Sequence, residues 1–342
     1  MASLTKSQVS KGEIADLVRH MLGSSVRAVR ARAMRGGTIN ACFAIRLGDG
    51  QEVVLKVAPP PSYVPFSYEQ GIMRTEVDFY RRTAQVGVPV PMVLATDFQR
   101  AVIASDSFIM SRLPGRPLSQ VRRSLSLSAL SGVRHELGSA AARISTVEGT
   151  IFGYASAASG TQSPTWREAF GRMVHNLLRD ASRFRVSLPR SDQAIEALVA
   201  AGGEVLDAVK SPRLVHFDLW DGNVIIDLSG RTPRLSGLLD AERAFWGDPY
   251  AELASLALHG DIEHDPVLLG AWAERAGVPL ELDTGARVRV LFAQLYLYLT
   301  QLIEPVSRGL NPVTRFLLQK RERYWLRRVL DRMARLIGSE RP

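Results

Sequence analysis

From about residue 26 to residue 57, apolar and polar positions alternate with the period of two shown by strands that bury one face. Two glycine-bearing breaks interrupt the run, Arg35-Gly36-Gly37-Thr38 and Gly48-Asp49-Gly50, and Pro59-Pro60-Pro61 ends it. The pattern predicts strand, glycine turn, strand, hairpin turn, strand. The period then changes: residues 68–85 repeat at helical spacing and stop before Gly87, Pro89 and Pro91. Two further strands fit residues 92–96 and 102–110, after which Pro114-Gly115 breaks the pattern. Beyond it, helical spacing runs through 118–147, 166–184, 194–209, 288–303 and 312–337, with one hairpin between 224–227 and 235–239. The expected architecture is α+β. A small five-stranded antiparallel sheet with one helix, within residues 1–112, is joined by a short link to a mainly helical part, 113–342, with a cleft between them.

Composition narrows the setting. A chain of 342 residues with 46% hydrophobic content can bury one large core or two adjoining ones. Cys42 is the only cysteine, so no internal disulfide framework forms, and its apolar surroundings predict a packed thiol. Residues 1–13 are polar and no 18 uncharged apolar residues run together, which predicts a soluble, cytoplasmic protein with no membrane partner. The net charge of +9 raises the possibility of nucleic-acid binding, but its densest stretch, 320–335, reads as the solvated face of a helix. Residues 216–283 instead carry 13 Asp or Glu against 4 Arg, a locally acidic region in a basic chain.

The chemistry-bearing residues stand at strand ends. Leu214-Val215-His216-Phe217-Asp218-Leu219-Trp220-Asp221-Gly222-Asn223 is a polar cluster after an apolar strand, spaced His-x-Asp-x-x-x-x-Asn. Phosphoryl transfer needs a carboxylate to take or orient the acceptor's proton and oxygen ligands for Mg2+, and Asp218 and Asn223 supply one of each. Asp240 follows the second hairpin strand, where a carboxylate can share the metal with Asn223. Lys56 lies inside an apolar strand and needs an acidic partner on the helix that follows. Glu69 and Glu76 both qualify by position, and Glu76, next to Val77 and Phe79, is preferred. Gly36, Gly37 and Thr38 offer backbone amides to phosphate. His216 is expected to brace the catalytic loop without acting as its base.

In order, Gly-Gly-Thr-x-Asn (36–40), Lys56, Glu76, Gly-Val-Pro-Val-Pro (87–91), His-x-Asp-Leu-x-x-x-Asn (216–223) and Asp-x-Glu-x-x-x-x-Gly-Asp-Pro (240–249) resemble the aminoglycoside phosphotransferase family, to which choline and fructosamine kinases are related. The resemblance covers roughly residues 30–260 and implies a protein-kinase-like two-lobed fold. It implies Asp218 as catalytic base, Asn223 and Asp240 as Mg2+ ligands, and Lys56 with Glu76 as the pair that positions phosphate. It implies a hinge at 108–113 receiving the nucleotide base near Ser111 and Leu113, flanked by Met110, and a structural Asp248 holding the catalytic loop from below. Three departures stand out. Phe217 replaces the family's usual Gly and predicts a bulkier approach to substrate, Glu252 replaces an Asp, and no long activation loop follows Asp240.

The function expected is ATP- or GTP-dependent, Mg2+-dependent phosphorylation of a hydroxyl on a small molecule. The acidic stretch favours a cationic acceptor, an aminoglycoside-like antibiotic first. A metabolic kinase for a choline-like alcohol or a glycated amine is the alternative within the class. A non-catalytic nucleotide-binding pseudokinase and a nucleic-acid binder are the alternatives outside it.

Overall fold

A computed structural model describes residues 5–34, 36–37 and 39–339. Five strands form one antiparallel sheet: β1 (Ala28–Ala33), β2 (Ala41–Leu47), β3 (Glu52–Val57), β4 (Val93–Asp97) and β5 (Ser107–Ser111), in the order β1-β2-β3-β5-β4. The central β3 is buried from Val53 through Val57, which explains why its sequence is apolar on both faces apart from Lys56. The expected strand at 102–110 is shorter, because the Asp97 carboxylate accepts the amides of Ala101 and Val102 and turns that stretch away from the sheet.

Helices cover both faces of the sheet. α1 (Lys11–Leu22), absent from the expected elements, starts on a Ser10/Glu13 capping box and buries Ile14, Leu17 and Val18 against Phe43, Ile45, Leu55 and Ile109. Burying those three side chains contributes about 1.5–3 kcal/mol each. α2 (Ile72–Gln85) lies on the other face, with Met73, Val77 and Phe79 against Val54, Phe108 and Met110. The sheet-bearing lobe therefore carries two helices where one was expected.

The chain leaves β5 at Ser111 and next pairs through β6 (Arg116–Pro117) with a hairpin of the other lobe. At Gly115, φ is 107° and a Cβ would stand 2.1 Å from the Ile226 carbonyl oxygen, so only glycine permits this crossing. The second lobe contains α3 (Leu118–Val121), α4 (Leu127–Ile144), α5 (Trp166–Arg183), α6 (Asp192–Ala201), α7 (Gly203–Asp207), α8 (Ala251–Leu256), α9 (Pro266–Ala276), α10 (Thr284–Ile303) and α11 (Pro312–Ser339). Short strands β7 (Arg213–Val215) and β10 (Phe245–Gly247) pair with each other, and β8 (Val224–Asp227) pairs with β9 (Arg234–Leu238). α10 is buried around most of its circumference and forms the spine of this lobe. Among the described residues no helix is long and apolar enough to cross a membrane.

Candidate active site

The loop expected to be catalytic is the chain between β7 and β8. His216 at its start is completely buried. Its Nε2–H donates to the Leu239 carbonyl at 3.0 Å and its Nδ1 accepts the Asp218 amide at 3.2 Å, which fixes one neutral tautomer. Burial pushes its pKa down to about 4. The ring joins the loop carrying Asp218 to the strand end carrying Asp240. From below, the Glu252 carboxylate accepts the amides of His216 (2.7 Å) and Phe217 (3.0 Å), while Ser255 Oγ accepts the Leu219 amide at 3.1 Å. Burial raises Glu252 to about 7 against the pull of those hydrogen bonds. Support from below thus comes from Glu252. Asp248 is held elsewhere, by two guanidinium nitrogens of Arg289 on α10, Nη2 at 2.5 Å and Nε at 2.6 Å.

Phe217 has φ 64°, the left-handed region where glycine is most at ease. Its ring does not face the cleft, contrary to the expected obstruction. It packs into the helical lobe, with ring centroids 5.0 Å from Phe245 and 5.7 Å from Tyr296.

Asp218 is held by two side chains through three hydrogen bonds. Asn223 Nδ2 donates to its backbone oxygen (2.9 Å) and to Oδ2 (3.0 Å), and Arg243 donates to Oδ1 at 3.2 Å. Burial raises its carboxyl to about 7 against the opposing charge of Arg243. A carboxylate poised there can hold a proton without keeping it. Arg243 is itself anchored by Glu304 at the end of α10, at 2.7 and 2.8 Å.

Across the cleft, Lys56 Nζ lies 2.6 Å from Glu76, 2.5 Å from Asp240 and 3.7 Å from Glu242. The preferred partner Glu76 is thus the one in contact. Glu69 is engaged with Tyr63, the Phe66 amide and Arg308. Burial works to strip the Lys56 proton, but Asp240, Glu76 and Glu242 together keep the ammonium charged well above its ordinary range. Asp240 sits at φ 67°, and its amide donates to Tyr80 Oη, which in turn donates to Glu76. Asn40 Nδ2 reaches Glu242 from the sheet lobe at 2.6 Å.

Carboxylate oxygens of Glu76, Asp240 and Glu242 all lie within 4.8 Å of one another. One ammonium among three carboxylates leaves negative charge for a cation to answer, and burial and the Asp240 charge keep the Glu242 carboxyl well above its ordinary range. Both Asn223 Nδ2 bonds go to Asp218, so its Oδ1 is the atom left for a metal. Asn223, Asp240 and Glu242 are hard oxygen donors of the kind Mg2+ takes.

The other expected contacts are more dispersed. Met110 is buried on β5 opposite Val54. The Ser111 amide already donates to the Met92 carbonyl at 2.8 Å, and Leu113 packs over Gly237 of the hairpin. Gly37 lines the cleft, and Thr38 lies outside the described residues. Cys42 pairs across from Lys56, and burial raises its thiol to about 12, as expected of a packed cysteine.

The cleft encloses about 590 Å3 and extends from Asp218, Asn223 and Asp240 to the helical tail at Glu304, Arg308 and Glu322. Arg243, Glu242, Glu304 and Arg308 were not among the expected site residues. Glu242 and Arg243 stand directly after Asp240 and could have been found there, whereas nothing local marks Glu304 or Arg308. The acidic stretch is also less available than its composition suggests. Asp221 pairs with Arg122 and Arg134, Asp248 with Arg289, Asp261 with Arg332, Glu263 with Arg287 and Asp265 with Arg134.

A two-lobed, kinase-like architecture with these side chains at the junction defines a class. The family model described as "Phosphotransferase enzyme family" matches residues 30–291, and the chain belongs to that family. Among solved structures it is similar to a candidate fructosamine-3-kinase from Thermobifida fusca, at 20% identity over 93% of this chain and 100% of the other, with a TM-score of 0.67. It is also similar to the streptomycin- and ATP-bound aminoglycoside phosphotransferase APH(2'')-IIa, at 15% identity over 97% and 99% of the two chains, TM-score 0.58. A third is the macrolide 2'-phosphotransferase MphH from Brachybacterium faecium, at 19% identity over 90% and 97%, TM-score 0.56. Comparison with curated proteins returns no match.

Proposed function

We propose that this phosphotransferase moves the γ-phosphoryl group of ATP or GTP to a hydroxyl of a small molecule. The observation that carries the reading is the meeting of Lys56, Asp218, Asn223 and Asp240, distant in sequence, at one cleft. An acceptor hydroxyl placed beside Asp218 attacks the γ-phosphorus. A bond forms from the acceptor oxygen to phosphorus, the bond from phosphorus to the β,γ-bridging oxygen breaks, and the hydroxyl proton goes to the Asp218 carboxylate. Asn223 and Arg243 hold that carboxylate in place. Lys56, oriented by Glu76, neutralises phosphate charge. Asn223, Asp240 and Glu242 are the residues that would hold Mg2+, which when bound supplies charge neutralisation on the phosphates. The base of the nucleotide falls to the backbone around Leu113, beside Met110, because the Ser111 amide is occupied.

Asp218→Asn tests the assignment. Turnover should fall by about 100- to 10,000-fold, the usual worth of a positioned base, while the thermal shift on adding MgATP persists. Undiminished turnover would remove Asp218 as the base, and a wild-type protein that binds MgATP but never transfers phosphate to any acceptor would favour the pseudokinase. Streptomycin, macrolides and fructosamine-type amines, named for the neighbours, belong in the acceptor panel with choline-like alcohols. The aminoglycoside-like acceptor favoured by the sequence has less electrostatic support than composition gives it, because five carboxylates of the acidic stretch are paired with arginines.

A further inference from the structure

Resting on the phosphotransferase reading, charge pairing within the cleft points to a class of acceptor. The carboxylates lining it are Asp218, Asp240, Glu242, Glu304 and Glu322. Each contacts a cationic side chain of the protein, and the negative charge that Lys56 leaves unanswered at Asp240 and Glu242 falls to Mg2+. Asp218 and Glu304 share Arg243, at 3.2 and 2.7 Å, and Asp240 and Glu242 share Lys56, at 2.5 and 3.7 Å. Glu322, 1% exposed, is held between Arg321 at 2.7 Å and His259 at 2.9 Å. A polycationic acceptor would have to displace these cations to gain ion pairs. At Asp218 and Glu304 that exchange strands the largely buried Arg243 guanidinium, and at Asp240 and Glu242 the buried Lys56 ammonium.

Beside Gln301 and Arg308, the wall at the helical end carries five apolar side chains, Trp220, Leu258, Pro305, Leu310 and Leu318. Trp220 is 42% exposed at the mouth, and on the same helix as Leu318 the side chains of Val313, Phe316 and Leu317 extend apolar surface outward, each more than half exposed. Apolar side chains lining a cleft are the mark of a binding site.

We infer that the acceptor is an uncharged, hydroxyl-bearing molecule with an apolar body, its hydroxyl at Asp218 and its body along Trp220, Leu258, Leu310 and Leu318. Such a ligand leaves every ion pair of the cleft intact and removes apolar surface from water. A polyamine sugar, by contrast, meets no unpaired carboxylate on this wall.

The test uses the full chain with Mg2+ and a non-hydrolysable ATP analogue, titrated calorimetrically with three probes. Octyl β-glucoside below its micellar concentration carries hydroxyls and an apolar tail, methyl β-glucoside lacks the tail, and neamine is a hydroxylated polyamine. Octyl glucoside is expected to bind at least about tenfold tighter than either of the others, with an affinity unmoved by salt. Leu318→Asp, and independently Leu310→Asp, should each weaken octyl glucoside by at least about tenfold by placing a charge on the apolar wall. Neamine binding as tightly as octyl glucoside, no gain from the octyl chain, no octyl glucoside binding, or octyl glucoside binding untouched by both substitutions overturns the inference. The thermal shift caused by the magnesium nucleotide is read in the same samples. Its presence shows that the variants are folded, and its absence in the wild type counts against the phosphotransferase reading itself.

Discussion

His216 shows how one side chain can brace the loop that carries the proposed base. Its two nitrogens serve two chain segments, accepting the Asp218 amide and donating to the Leu239 carbonyl, and the first of these bonds requires the neutral ring. The folded-state pKa of about 4 lies below the ordinary value of 6.5, so the ring contributes stability that is complete above the ordinary value and is lost as pH falls through the folded one. The difference in unfolding free energy between wild type and His216→Gln should therefore shrink by about 3 kcal/mol from about pH 7 to about pH 4. Denaturant titrations of both proteins across that range measure it, and a constant difference would mean that the ring titrates in the folded protein as it does in the unfolded chain. Glu252, raised to about 7, acts with the opposite sign, its contribution lost as pH rises from the ordinary 4.5 through 7. Both proteins contain it, so it cancels in the comparison.

Phe217 sets a backbone penalty against a packing gain. A non-glycine residue at φ 64° costs about 1–2 kcal/mol, whereas removing a buried phenyl ring costs about 3–5 kcal/mol. Phe217→Gly should accordingly destabilise the protein by about 2–3 kcal/mol while leaving the acceptor KM unchanged, since the ring points away from the cleft. Thermal unfolding and steady-state kinetics check the two halves. A large fall in KM would restore the view, natural from sequence alone, that the ring obstructs substrate.

At the scale of elements, β3, α2 and the end of β9 form one electrostatic unit through Lys56. With its side chain 5% exposed, it joins Glu76, whose side chain is 1% exposed, to Asp240 in the other lobe. Lys56→Met keeps the volume and removes the charge, leaving Glu76 buried without its cation, and should destabilise the fold by about 3–5 kcal/mol near neutral pH. Since burial and the loss of Lys56 both favour a protonated Glu76, the deficit should narrow on acidification, an outcome that urea titration at two pH values would check. The elements themselves were largely legible in the sequence. Glycine breaks mark the ends of β1 and β2, the triple proline marks that of β3, and helical spacing marks α2, α5, α10 and α11. α1 was overlooked although Ser10-x-x-Glu13 is a capping signature, because its apolar positions are few and its flanks polar. Residues 102–105 read as strand because they are apolar, but a side-chain cap from Asp97 outweighs that tendency.

The whole molecule explains which site residues a sequence can reveal. Asp218, Asn223 and Asp240 follow apolar strands in short loops, so local pattern marks them. Glu304 and Arg308 lie at the end of α10 and beyond it, and only packing brings them to the cleft. Arg308 is the clearest case. Its guanidinium reaches Glu69 (2.6 Å), Tyr63 (2.8 Å) and Tyr68 (3.2 Å) on the segment between β3 and α2, and lies 3.5 Å from Glu304. Glu304 in turn holds Arg243, and Arg243 holds Asp218. A buried cation thus ties the segment leading into α2 to the helical tail and, two contacts on, to the proposed base. Arg308→Met should expose that linkage in two readouts. Stability should fall by about 3–5 kcal/mol because Glu69, its side chain 1% exposed, loses its cation. Amide exchange should quicken first in residues 63–71, while amides of β2, β3 and β5 keep their protection, since their core on α1 and α2 does not depend on Arg308. Uniformly faster exchange across both lobes would mean that the residue stabilises the fold as a whole and does not specifically fasten the 63–71 segment to the helical tail.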